Sequence, residues 1–185
     1  GTAEGVYALT MLVGCLRCVR VLGGLAGCAG IDGAGRIPVD ARLVDVERTM
    51  GIPAMRWKEA DGGQTLVYPR GPMGFHTFFV RSDALGNVLS RENVLDSRHF
   101  ARIQAGMTPD EVVRIVGPSV AEWTVYFKAR DELVWEWRYC DDWNEPARFN
   151  VLFDASAMRV RSTLSLPERN HVAFGGDDLR AWCGH

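Results

Sequence analysis

The chain has 185 residues, 47% of them hydrophobic and 24% charged, which suits one domain or two small ones with a real apolar core and argues against disorder. Twenty-one basic residues against 23 acidic ones leave a formal charge of −2, and no basic stripe carries interleaved aromatics, so a nucleic-acid partner is not expected. The 20 Gly and 8 Pro mark many turns and favour strands joined by hairpins.

Tyr7 to Ala29 is rich in Leu, Val, Ala and Gly, but Arg17 and Arg20 interrupt it. No run reaches the roughly 20 apolar residues that a membrane-spanning helix needs. As an export signal the segment is coherent: Arg17 and Arg20 supply positive charge, Val21 to Ala26 a short apolar stretch, and Leu25-Ala26-Gly27-Cys28 a small-residue cleavage site. That tetrapeptide resembles a bacterial lipobox, in which the thiol takes a diacylglycerol and becomes the first mature residue. Cys28 is therefore the expected lipid anchor. Leu12-Val13-Gly14-Cys15 is a second match, so Cys15 competes with it, although the Gly-rich run from Ile31 to Gly35 after Cys28 suits a flexible tether. A buried amino-terminal helix with core cysteines is the alternative. Cys15 and Cys18 also form a Cys-x-x-Cys pair, without the βαβ pattern or second pair that a redox or zinc site requires. The sequence opens on Gly1, and a start upstream or at Met11 both stay open. The expected organisation is a signal and lipobox segment over 1–28, a tether over 29–39, a helix-plus-sheet repeat over 40–96, a second over 97–166, and a tail over 167–185.

The repeat rests on spacing. Gly117 follows Gly51 by 66 positions, as Trp123 follows Trp57 and Val112 follows Val46. Asp83 and Asp154, which begin turns, are 71 apart, so the second unit carries five extra residues. In the first unit Leu43, Val46 and Met50 form a helical stripe that stops at Gly51. Met55 and Trp57 then lie on a strand, Asp61-Gly62-Gly63 makes a turn, and Leu66 with Tyr68, Phe75 to Val80, and Val88 onward complete a meander through a turn at Leu85-Gly86-Asn87.

Local signals are sharper in the second unit. Phe100, Ile103 and Met107 lie at helical spacing, and Thr108-Pro109-Asp110-Glu111 reads as a helix start, with Thr108 capping, Pro109 at the first position and Glu111 reaching back to the cap. Val112, Val113 and Val116 form the stripe, and Gly117-Pro118 ends it. Leu133, Trp135, Trp137 and Tyr139 share one strand face, with Val134, Glu136 and Arg138 on the other. Phe149, Val151 and Phe153 repeat the pattern, and Val160, Ser162 and Leu164 follow a turn at Asp154-Ala155-Ser156. Helices followed by antiparallel strands make the class α+β, as two tandem copies of a unit with helices on one face of a sheet.

Ile103, Gly106-Met107-Thr108, Val112, Gly117-Pro118 and Trp137-Arg138-Tyr139, followed by Phe149 to Asp154, resemble the SmpA/OmlA (BamE-like) outer-membrane lipoprotein family over residues 100 to 164. The tandem arrangement is also similar to the β-lactamase-inhibitor-protein fold. The resemblance implies a helical pair on a curved antiparallel sheet, a lipid anchor at the periplasmic face of the outer membrane, and a non-catalytic role binding another envelope protein, in outer-membrane assembly or integrity. Duplication departs from the family's usual single copy. A secreted or periplasmic protein inhibitor of an enzyme such as a hydrolase is the alternative function, and an enzyme built from distant residues a third.

No catalytic constellation stands out: His76, His99, His171 and His185 are scattered, and no Gly-x-Ser-x-Gly elbow, His-Glu-x-x-His helix or phosphate-cradling loop occurs. Neither a metal nor a cofactor is expected, nor a small-molecule substrate. Cys140-Asp141-Asp142 with Glu145 is the densest polar cluster; a metal site or a nucleophile paired with a base is the alternative to a solvated loop between strands, which is the expected reading because no His is fixed nearby. Within it Trp143 either serves as an exposed partner-binding anchor, flanked by Asp141, Asp142 and Glu145, or folds back onto the sheet. Cys140 and Cys183 are the cysteines outside the signal, and either pair in an oxidising periplasm or stay free thiols. Trp57, Trp123, Trp135 and Trp137 are expected as core or half-buried strand residues.

Overall fold

The computed structural model describes residues 38, 40–168 and 183. Cys28, Cys15 and the whole export segment lie outside the described residues, as does the 29–39 tether apart from Pro38. The described chain runs α1 (Leu43–Met50), β1 (Met55–Lys58), β2 (Gln64–Pro69), β3 (Thr77–Ser82), β4 (Val88–Asn93), α2 (Ser97–Phe100), α3 (Pro109–Val116), β5 (Val125–Phe127), β6 (Glu132–Cys140), β7 (Pro146–Asp154) and β8 (Arg159–Pro167). This is a mixed α+β architecture with two four-stranded antiparallel sheets, ordered β1-β2-β3-β4 and β5-β6-β7-β8. No described helix is long and apolar enough to cross a membrane.

α1 buries the stripe its spacing sets, whereas on α3 Ile115 takes the buried place expected of Val113, and α2 ends at Phe100, before Ile103 and Met107. Leu43, Val46 and Met50 of α1 pack on Leu66, Tyr68 and Val80 of the first sheet, where each fully buried aliphatic side chain contributes about 1.5–3 kcal/mol. Val112, Ile115 and Val116 of α3 pack with Phe100 and Ile103 against the second sheet. The start of α3 is fixed locally: Thr108 Oγ1 accepts from the Glu111 amide at 3.2 Å while the Glu111 carboxylate accepts from the Thr108 amide at 2.7 Å. In the second core, Phe100 stacks on Phe149 with centroids 3.8 Å apart and meets Tyr139 edge-on at 4.8 Å.

The first sheet departs from a layer with helices on one face. Thr65 to Tyr68 of β2 are buried without interruption, as expected for a strand covered on both sides. Leu66 and Tyr68 face α1, whereas Val67, with Phe79 and Val94, forms a separate cluster on the opposite face. The carboxyl end of α3 covers that cluster. A Cβ on Gly117 would lie 2.7 Å from Thr77 Cγ2 and 3.4 Å from both Phe79 and Val67. The Gly117 carbonyl in turn accepts from the buried Trp137 indole at 3.2 Å. One helix end thus closes both cores.

Three strand expectations are corrected. β3 begins at Thr77 rather than Phe75, whose ring instead lies under the Arg138 guanidinium at 4.2 Å. Trp123 lies in a 3₁₀ turn, Ala121–Trp123, ahead of β5 rather than on a strand. Val160, Ser162 and Leu164 do not share a face. A bulge shifts the β7–β8 register, so Val160 pairs with Phe153 on the core side while Ser162 and Leu164 pair with Leu152 and Asn150 on the other. An extra residue in one strand inverts the alternation beyond it.

Candidate partner-binding site

The β6–β7 hairpin carries the polar cluster singled out above. The strands pair through Cys140 and Pro146, leaving Asp141, Asp142, Trp143, Asn144 and Glu145 as its tip. Asp141 organises that tip: its Oδ1 accepts from the amides of Trp143 at 2.9 Å and Glu145 at 2.8 Å, and its own amide donates to the Glu145 carbonyl at 3.0 Å. Asn144 takes a left-handed conformation at φ 60°, which Asn tolerates better than most residues. The Ser97 hydroxyl donates to Asp142 at 3.4 Å, tying the tip to the start of α2.

Trp143 is thereby held outward with 84% of its surface exposed. It does not fold back onto the sheet. Asp141 and Asp142 lie beside it and Glu145 two residues on, so the ring emerges from an acidic rim. At the root of the hairpin, Cys140 is bonded to Cys183, with Cα atoms 5.9 Å apart and the Cys183 side chain buried.

A second constellation, on the face of the second sheet turned away from its helices, was not singled out in the sequence. Arg138 and Arg148 are directly opposed across β6 and β7, an arrangement that like charges disfavour. Glu168 resolves it by bonding both, at 2.7 Å to Arg138 and 3.1 Å to Arg148. Arg148 also pairs with Glu136 and lies 3.6 Å from the centre of the Trp123 ring. Burial pushes the Glu168 carboxyl up, but hydrogen bonds and attraction from Arg138, then Arg148, outweigh it and hold the group below the usual carboxylate range. Period-two alternation assigns Glu136 and Arg138 to this face; nothing local announces that Glu168 reaches back to it. Beyond the ladder, edge strand β5 leaves Val125, Tyr126 and Phe127 all exposed.

Of the four scattered histidines, His99 is set in a charged arrangement. Asp96 caps α2 by accepting from the His99 amide at 2.9 Å and also bonds the ring Nδ1 at 2.7 Å, while Glu92 lies 3.8 Å from Nε2. These contacts make the pair a helix cap, with no hydroxyl or thiol among its described partners. Among the described residues, no three His, Cys, Asp or Glu side chains group to hold a metal ion.

No family model and no curated protein matches the sequence. Among solved structures, the chain is similar to an extracellular protein containing an SCP domain from Bacillus anthracis str. Ames, at 13% identity and a TM-score of 0.25. The similarity covers 89% of this chain and 51% of that one, so this chain spans about half its length.

Proposed function

We propose that this protein is a cell-envelope lipoprotein that acts as a non-catalytic protein-binding module, anchored through Cys28 at the periplasmic face of the outer membrane and engaged in assembly or integrity of that membrane. The observation that carries the binding role is Trp143, an 84% exposed indole on a tip whose backbone Asp141 holds in place. Large rigid aromatics are the commonest energetic centres of protein interfaces, and preorganisation lowers the ordering cost of binding. The acidic rim of Asp141, Asp142 and Glu145 favours a partner with a basic surface around an apolar pocket.

The resemblance of residues 100 to 164 to the SmpA/OmlA family supports the envelope assignment. A tandem origin for the two helix–sheet units is part of the same reading. In its favour, Val46 and Val112, 66 positions apart, are both fully buried on α1 and α3, and Gly51 and Gly117 end those helices with φ of 84° and 76°.

The test has two arms. Intact mass of the protein from a bacterial membrane fraction is expected to show a diacylglyceryl Cys28 that Cys28→Ser abolishes; an unmodified Cys28 on an intact amino terminus overturns the anchor. Crosslinking in envelopes is expected to capture a partner that Trp143→Ala loses, while that variant's stability stays within about 0.5 kcal/mol of wild type, as for an exposed site. Equal capture by both proteins removes Trp143 from the interface, and capture of a hydrolase whose activity falls on binding favours the inhibitor alternative.

A further inference from the structure

A cleft of about 280 Å³ opens where the first sheet faces α2 and α3, with no hairpin-tip residue in its lining. Its apolar wall is built by Trp57 and Phe79, edge to face at 5.4 Å, with Val94 beside them and Ile115 across the gap. Charged groups line the remainder. Most are committed to one another: Arg114 bonds Glu59 at 2.9 Å and lies 4.3 Å from the centre of the Trp57 ring, and Thr65 donates to Glu59 at 2.6 Å. His99 is committed to Asp96, with Glu92 at its other nitrogen.

Arg81 and Arg102 are different. Both line the cleft with exposed side chains; Arg81 attracts Glu59 across the lining, but its guanidinium, like that of Arg102, makes no direct hydrogen bond or close ion pair among the described residues. With three arginines against Glu59 and Glu92, the lining keeps a positive surplus beside an aromatic wall. That surplus attracts an anion, and an arginine fork matches the two oxygens of a carboxylate.

We infer that this cleft binds a small organic monocarboxylate, its apolar or aromatic body against Trp57 and Phe79 and its carboxylate held by Arg81 and Arg102. The volume of about 280 Å³ falls just below the roughly 300–1,000 Å³ of drug-sized ligand sites, which restricts the ligand to a single-ring molecule. Glu92, within the same lining, disfavours ligands of higher charge. The role is separate from partner binding at Trp143 and does not depend on it.

Phenylacetate titrated into the isotopically labelled full chain tests the assignment by nuclear magnetic resonance, with phenylacetamide and inorganic phosphate as parallel probes. Phenylacetate is expected to move the Trp57 indole and the Arg81 and Arg102 Nε–H signals saturably, with a Kd on the order of 1 mM. Phenylacetamide, lacking the charge, is expected to bind at least about tenfold more weakly, and phosphate to leave Trp57 unmoved. Arg81→Gln and Arg102→Gln are each expected to weaken phenylacetate binding with the thermal midpoint unchanged. The inference is overturned if phenylacetate gives no saturable shift, if the amide binds equally, if phosphate moves the same signals as strongly, or if both variants bind like wild type.

Discussion

Gly51 and Gly117 offer a matched pair of perturbations. Both end a helix with positive φ, and their ψ values of −164° and −175° complete a backbone region that is essentially reserved for glycine. Their surroundings differ. A Cβ on Gly51 meets nothing within 4 Å, whereas one on Gly117 lies 2.7 Å from Thr77 Cγ2, well inside the roughly 3.5–4.0 Å of relaxed carbon contact. Gly51→Ala is therefore expected to cost only backbone strain, about 1–3 kcal/mol. Gly117→Ala adds an overpacking penalty of about 1–3 kcal/mol, because Thr77, Phe79 and Val67 are already close-packed. Urea unfolding of the two variants reads the difference directly. Thr77→Ser removes the offending methyl while keeping the hydroxyl, so Gly117→Ala combined with Thr77→Ser is expected to recover most of the excess in a double-mutant cycle. If Gly117→Ala is no worse than Gly51→Ala, or the cycle shows no coupling beyond about 0.5 kcal/mol, α3 does not press on the first sheet as described.

Three further outcomes follow from contacts already described. Glu168→Gln leaves Arg138 opposite Arg148 without its counterion, at a cost between the roughly 1 kcal/mol of an exposed pair and the roughly 3–5 kcal/mol of a buried one, measurable by urea unfolding near neutral pH. Because folding lowers the Glu168 pKa, its contribution is present above the ordinary value of 4.5 and is lost as pH falls through the folded value. Wild-type stability should therefore decline below 4.5 more steeply than that of Glu168→Gln. Replacing Cys140 and Cys183 together by Ser opens a loop of 43 residues, and the chain-entropy account places the loss at up to about 4 kcal/mol, readable by urea unfolding of the oxidised parent and the variant. Thr108→Ala removes the cap of α3 and is expected to cost about 1 kcal/mol by the same assay.

The elements visible in the sequence were those fixed by neighbouring residues. Thr108 to Glu111 specify a helix start within four positions, and the stripe of α1 follows from a single period. The alternation of Trp137 and Tyr139 against Glu136 and Arg138 likewise sorts the two faces of β6. Trp143 stood out because a large aromatic in a polar turn has no local reason to be there. What escaped were features set by distant partners. The β8 bulge changes its alternation through pairing with β7, which no window on β8 reveals. Glu168 is joined to Arg138 across 30 positions. Arg81 and Arg102 share a cleft only because α2 and α3 turn back onto the first sheet. That Val67 and Phe79 form a core of their own was hidden for the same reason, since the cover for β2 comes from the other half of the chain.

The placement of Gly117 also bears on how the molecule comes apart. Its carbonyl receives the Trp137 indole, and its bare Cα rests on Val67, Phe79 and Thr77, so α3 cannot leave one sheet without uncovering the other. Two halves that look modular along the sequence are therefore energetically inseparable: heat or denaturant should melt both in one transition. Neither half is free to accumulate core substitutions without taxing its neighbour.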